Sequence, residues 1–126
     1  PGEKFLAVPY EPMYYWLLDR RAPVKETMFF DFVNITAEQQ KRIISDLEKE
    51  HVNYIVMSNR VHSPEVGLGV FGATNCHILG DYIKKNFIPM ITFGKWGLNP
   101  EWSWDHSIRI FQRKAKEQNT GYLSFP

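Results

Sequence analysis

Apolar positions fall into short runs separated by proline, glycine and charge. Phe5-Leu6-Ala7-Val8 is continuous, stops at Pro9, and reads as a first strand. Glu11-Pro12 then opens a short helix over Met13 to Asp19, since a first-turn proline lacks only an N–H that has no helical partner there. Met13, Trp16 and Leu17 fall on one face of it at i, i+3, i+4. Thr27 to Val33 alternates and predicts a second strand.

The pattern changes period after Ile35. Thr36 and Gln39 form a capping box, and Ile43, Ile44 and Leu47 make an apolar stripe, so a helix is predicted from about Ala37 to Glu50, with Glu38 placed to pair with Arg42. Val52 to Met57 is apolar enough for a buried central strand. A long loop, Asn59 to Gly72, leads to a helix over about Asn75 to Asn86, with Ile78, Leu79, Tyr82 and Ile83 inward. Ile88 to Gly94 is the fourth strand. Lys95 to Asp105 is a second loop, and Ser107 to Arg113 alternates as a fifth strand. This order predicts one α/β domain over residues 1–126. Its mostly parallel sheet of about five strands carries helices on both faces, and the last strand is an antiparallel edge.

Composition narrows the class. The 126 residues suit one domain with a real core, and aromatics at 15% give that core large rings. Fifteen basic against fourteen acidic residues leave a net charge of +1, which gives no electrostatic basis for a nucleic-acid partner. A single cysteine, Cys76, excludes an internal disulfide. The longest uncharged run, Val66 to Gly80, holds three interior glycines and is too short to span a bilayer. The termini, Pro1-Gly2 and Ser124-Phe125-Pro126, lead us to expect a piece of a longer protein.

Several local patterns carry candidate chemistry. Gly67-Leu68-Gly69-Val70-Phe71-Gly72 matches the dinucleotide-binding glycine spacing, but Asn59 to Val66 separate it from the preceding strand. No acid follows at the end of the next one either, so a loop whose glycines permit positive φ, a lid or docking element, is the better reading. His51, His62, His77 and His106 have no partners at ligand spacing, so no metal and no cofactor are expected. Cys76 and His77 adjoin near a helix start but point to different faces, which favours a structural cysteine over a nucleophile. Trp96, Trp102 and Trp104 share one loop, either as a cap on the core or as a platform for a sugar or protein. Asp19-Arg20-Arg21 reads as a helix end with favourable cations, or as a fork for phosphate or carboxylate.

The opening segment carries a resemblance. Val8-Pro9-Tyr10, Tyr14-Tyr15, Asp19-Arg20-Arg21 and Pro23, then Val52 to Val56 and Tyr82-Ile83, resemble the segment after the last membrane helices of bacterial polytopic glycosyltransferases. These are the dolichyl-phosphate-mannose–protein mannosyltransferase-like group, which includes the aminoarabinose lipid A transferases. The similarity spans roughly residues 1 to 95. It implies a small α/β domain on the extracytoplasmic, periplasmic face of the membrane, partnered by the membrane portion of the same parent chain. The parent would move a sugar from a polyprenyl-phosphate carrier to an acceptor. The family's catalytic acid lies upstream, so the resemblance implies that this stretch is non-catalytic alone, with Tyr14, Arg20 and Arg21 as contacts to lipid-linked sugar or glycan.

Two other readings stay open from the residues. One is a carbohydrate- or protein-binding module using Trp96, Trp102 and Trp104. The other is a free-standing small α/β enzyme using Cys76 or the Gly67 loop.

Overall fold

The computed structural model describes residues 3–59, 68–94, 96 and 107–115. Among these, β1 (Phe5–Val8), α1 (Met13–Leu17), a 3-10 turn (Asp31–Val33), α2 (Ala37–Lys49) and β2 (Tyr54–Ser58) come first. Then follow α3 (His77–Asn86), β3 (Phe87–Phe93) and β4 (Ile108–Arg113). The strands form one four-stranded mixed sheet in the order β1-β2-β4-β3. The β1–β2 pair is parallel, and β2–β4 and β4–β3 are antiparallel.

Three sequence expectations change. The sheet has four strands rather than five, because Thr27 to Val33 is not a strand. Phe29 and Phe30 are buried in an extended segment whose Phe29 N–H goes to the Pro9 carbonyl, and the chain then tightens into the 3-10 turn. The last strand is antiparallel as expected, yet it lies inside the sheet rather than at its edge. Only one adjacent pair is parallel, since β4 separates β2 from β3.

The helices cover the sheet unevenly. Leu6, Val8, Ile55 and Met57 point to one side and join Ile43 and Leu47 of α2 and Leu79 and Ile83 of α3 in the main core. Leu6, Ile43, Leu47, Ile55 and Leu79 are fully buried. Each contributes on the order of 1.5–3 kcal/mol. The Thr36–Gln39 capping box forms as the spacing predicts, and both of its hydrogen bonds are present. Arg42 does not pair with Glu38. It bonds Glu26 and Asp46, and so ties α2 to the segment before the 3-10 turn.

Gln40 is buried and spans α2 and α3, its amide oxygen accepting from the Leu79 N–H at 3.0 Å. Gly80 is equally constrained: a Cβ there would lie 2.8 Å from the Gly72 Cα, so the loop before α3 crosses the helix at a point with no side chains. Arg113 locks the far end of the sheet. Its Nε donates to the Val52 carbonyl at 2.9 Å, Nη1 to Glu48 at 2.7 Å and Nη2 to the Tyr82 hydroxyl at 2.9 Å. Its guanidinium also lies 4.6 Å from the centre of the Phe87 ring.

On the opposite side, among the described residues, α1 is the one helix that covers the sheet. Tyr15 stacks on Phe5 with centroids 4.9 Å apart, and its hydroxyl accepts from the Ala7 N–H at 2.8 Å. That bond satisfies a backbone donor of the edge strand β1, which otherwise offers an unpaired group. The face of α1 expected from spacing is reversed: Met13, Trp16 and Leu17 are exposed, and Tyr15 is the residue it buries. Five helical residues make little more than one turn, so one large ring decides which way α1 faces.

Burial pushes the Tyr15 phenol from 10.0 up to about 12, with the Ala7 hydrogen bond acting the other way. A folded pKa above the unfolded one gives stability that is whole below pH 10 and is lost as pH rises towards 12. Tyr15→Phe leaves a buried N–H unpaired and is expected to cost about 1–3 kcal/mol at pH 7. Urea denaturation checks this as a lower midpoint with an unchanged slope. The variant should also lose less stability between pH 10 and 12 than the parent, since Tyr15 no longer titrates.

Candidate functional site

Two concavities flank the sheet, one on each side. The first is an open groove of about 320 Å3 between α1 and the sheet, lined by Glu3, Phe5, Leu18, Arg20, Tyr54, Val56, Met90 and Ile110. Its walls are apolar because α1 is too short to cover more than Phe5, Ala7 and Val56. Beyond α1 the sheet face continues through β3. Ile91 pairs with Ile110 and Phe93 with Ile108, so these side chains share that face. Ile88, Met90, Ile91 and Phe93 are all exposed, as are Met13, Trp16, Leu17 and Leu18 on and just after α1. Trp16 reaches 80% exposure. Leu18 and Met90 line the same groove, which joins the two sets into one apolar side.

Arg20 sits at the rim of this groove. Its Nη1 donates to the carbonyls of Leu18 and Asp19 at 3.1 and 3.3 Å, which answers helix-end acceptors as the plain reading of Asp19-Arg20-Arg21 requires. Arg21 is exposed and does not line the groove. Tyr14 is half-buried against the Phe5–Tyr15 cluster, and its phenol is raised first by burial and then by the Glu11 charge. The structure therefore brings Tyr14 and Arg20 to one side, without assembling a two-arginine fork.

The second concavity is a cavity of about 240 Å3 on the α3 side, lined by Met57, Phe71, Gly72, Gly80, Ile83, Lys84, Trp96, Arg109 and Phe111. Trp96 lies here, with the Arg109 guanidinium 4.6 Å from its ring centre. One of its ring faces is thus covered by a cation rather than open as a sugar platform. Trp102 and Trp104 lie outside the described residues, as does Gly67.

The described part of the glycine loop is pinned. Asp31 Oδ1 accepts from Thr74 Oγ1 and from Asn75 Nδ2, both at 2.7 Å, and the Asp31 N–H bonds the Leu68 carbonyl. Gly69, at φ 73°, has no room for a side chain, because a Cβ would lie 2.0 Å from Asp31 Oδ1. The Asp31 carboxylate packed against the loop opposes phosphate binding, so this is a structural joint rather than a phosphate cradle.

Cys76 is buried in the main core, and His77 is exposed with its ring nitrogen on the Ala73 carbonyl, so the two form no dyad. Among the described residues no cluster of three or more His, Cys, Asp or Glu could hold a metal, and no helix is long and apolar enough to cross a membrane.

Sequence reasoning missed Lys84, which carries no motif, and read Arg109, within the basic cluster Arg109, Arg113, Lys114 and Lys116, as a solvated strand end rather than a binding patch. It also missed Ser58, Asn59 and Ser107, which are buried where β2 ends and β4 begins. Among the described residues, their side-chain oxygens Ser58 Oγ, Asn59 Oδ1 and Ser107 Oγ have no hydrogen-bond partner. Buried unpaired polar atoms are rare in native folds, and nothing in the local sequence marks them in advance. None of the family models, curated proteins or solved structures compared with the chain matches it.

Burial, aided by the Asp31 charge, pushes the Cys76 thiol up to about 12. The thiolate is the reactive form, so native protein at pH 8 should resist iodoacetamide and label only after denaturation. Labelling at the rate of a free cysteine, followed by mass spectrometry, would return Cys76 to the list of nucleophiles.

Proposed function

We propose that the chain is the accessory extracytoplasmic domain of a membrane glycosyltransferase, a transferase of polyprenyl-phosphate sugars. In this reading it is non-catalytic by itself and docks on the membrane portion of its own parent chain. One observation supports it most: the apolar side shared by α1 and β3, with Trp16, Leu17, Leu18, Met90 and Phe93 exposed together. An exposed apolar surface of this kind suits a protein or membrane partner. Tryptophan beside arginine suits the headgroup level of a bilayer, and Trp16 is followed by Arg20 and Arg21. The resemblance of the opening segment supports the membrane portion as that partner, since in that family this segment follows the last membrane helices.

The experiment has two parts. The gene sequence upstream of Pro1 should encode eight or more hydrophobic spans with an acidic first extracytoplasmic loop; a parent without them sinks the reading. In that parent, Leu17→Asp combined with Met90→Asp should lower sugar transfer about tenfold or more, each charge losing a buried apolar contact. The same pair in the isolated chain should leave its circular dichroism unchanged, since both side chains are exposed here. Full transfer activity in the double variant would show that this side does not dock.

A further inference from the structure

The cavity on the α3 side combines features that the docking reading does not use. Its walls are apolar and largely ring-shaped: Phe71, Trp96 and Phe111, with Met57 and Ile83. At Gly72 and Gly80 the backbone itself forms the wall, since a Cβ on Gly80 would strike the Gly72 Cα. At about 240 Å3 it is smaller than the roughly 300–1,000 Å3 of sites for drug-sized ligands, so it suits a single ring.

Charge gives the second constraint. Lys84 and Arg109 are the charged residues among the described lining, and no acid accompanies them. Arg113, Arg42 and Lys4 each have a carboxylate partner. Among the described residues Lys84 has none, and Arg109 bonds there only through Nε, to Thr92 Oγ1 at 2.9 Å. That bond and the Trp96 ring hold the guanidinium plane in place and leave Nη1 and Nη2 for another acceptor. A lysine in the last turn of α3 also suits the helix dipole, but the dipole gives no reason for an unpaired arginine across the cavity. The cavity lies beside the carboxyl end of β2, next in sequence to the buried oxygens of Ser58 and Asn59 and two residues from that of Ser107. Ligands of open α/β sheets bind at that end of the strands.

We propose that this cavity binds a small anion carried on a flat, single-ring apolar body, such as an aryl phosphate or aryl carboxylate. The ring lies among Phe71, Phe111 and Ile83, and the anion bridges Lys84 and the terminal nitrogens of Arg109.

Calorimetric titration with phenyl phosphate tests this, with inorganic phosphate, benzyl alcohol and decyl phosphate run beside it. Phenyl phosphate should bind saturably below about 10 mM, at least tenfold tighter than either inorganic phosphate or benzyl alcohol. Lys84→Gln with Arg109→Gln should weaken it tenfold or more, two charge-assisted contacts being removed. Lys84→Gln alone, at an exposed residue without an ion pair among the described residues, should weaken it several-fold and keeps the test valid if the double variant misfolds. Absence of saturable binding, equal affinity for inorganic phosphate, unchanged affinity in Lys84→Gln, or tighter binding of decyl phosphate would each overturn the proposal. None of the cavity residues lines the α1 groove, so failure here leaves the docking reading standing, and failure of docking leaves this site standing.

Discussion

The fold depends on β4 entering between β2 and β3. Those two strands run in the same direction and are joined through α3, yet neither pairs with the other. Every ladder bond that holds β3 to the sheet passes through Ile108–Arg113. A strand that closes the sheet from the end of the described chain makes the contacts non-local, with Arg113 Nε reaching the Val52 carbonyl across 61 positions. The Arg113 network then fastens β4 to both helices at once. Glu48 is held below its ordinary carboxylate range first by the Tyr82 hydroxyl, and burial pushes that phenol up to about 12. A proton is therefore retained where Tyr82 must donate.

This closure leaves the two sides of the sheet unequal. α2 and α3 cover β1 and β2 on one side, and α3 runs directly into β3 without reaching over β4. The uncovered part becomes the cavity between α3 and Arg109–Phe111. Among the described residues the other side has five helical residues for cover, so apolar surface remains exposed there. Both candidate sites follow from how little helix the described residues set against a four-stranded sheet.

Much of this was legible in sequence where local chemistry decides. The Thr36–Gln39 capping box and the Ile43–Leu47 stripe specify α2 almost residue by residue, because capping and period are properties of neighbours. Elements set by distant partners were not legible. Met13, Trp16 and Leu17 have the spacing of an inward face, but Tyr15 alone reaches both the Phe5 ring and the Ala7 N–H, and that decides the rotation. Phe29 and Phe30 have strand composition, but what places them is burial against the core and the bond from the Phe29 N–H to the Pro9 carbonyl, a partner outside any ladder. The alternation of Ile108 to Arg113 fixes a strand without fixing its neighbours, so an edge and a centre look alike. The candidate sites divide in the same way: Arg20 was visible as part of a charged helix end, whereas Lys84 and Arg109 meet only after β4 is placed.

The alternation of β4 also joins the two sites physically. Ile108 and Ile110 face the α1 side, while Arg109 and Phe111 line the cavity. A one-residue slip would exchange the sets and put an arginine on the α1 side. The irregularity between Pro89 and Ile91 works against the simple register that would be wrong for β3. With regular pairing after Pro89, Met90 would sit opposite Ile110, Ile91 opposite Arg109 and Thr92 opposite Ile108. One extra residue in β3 moves Ile91 opposite Ile110 and Phe93 opposite Ile108, on the α1 side, and brings Thr92 opposite Arg109. Thr92 Oγ1 then accepts from Arg109 Nε, the bond that orients the guanidinium over Trp96. A single bulge in the edge strand thus gathers the apolar residues on one side of the sheet and positions the anion-binding arginine on the other.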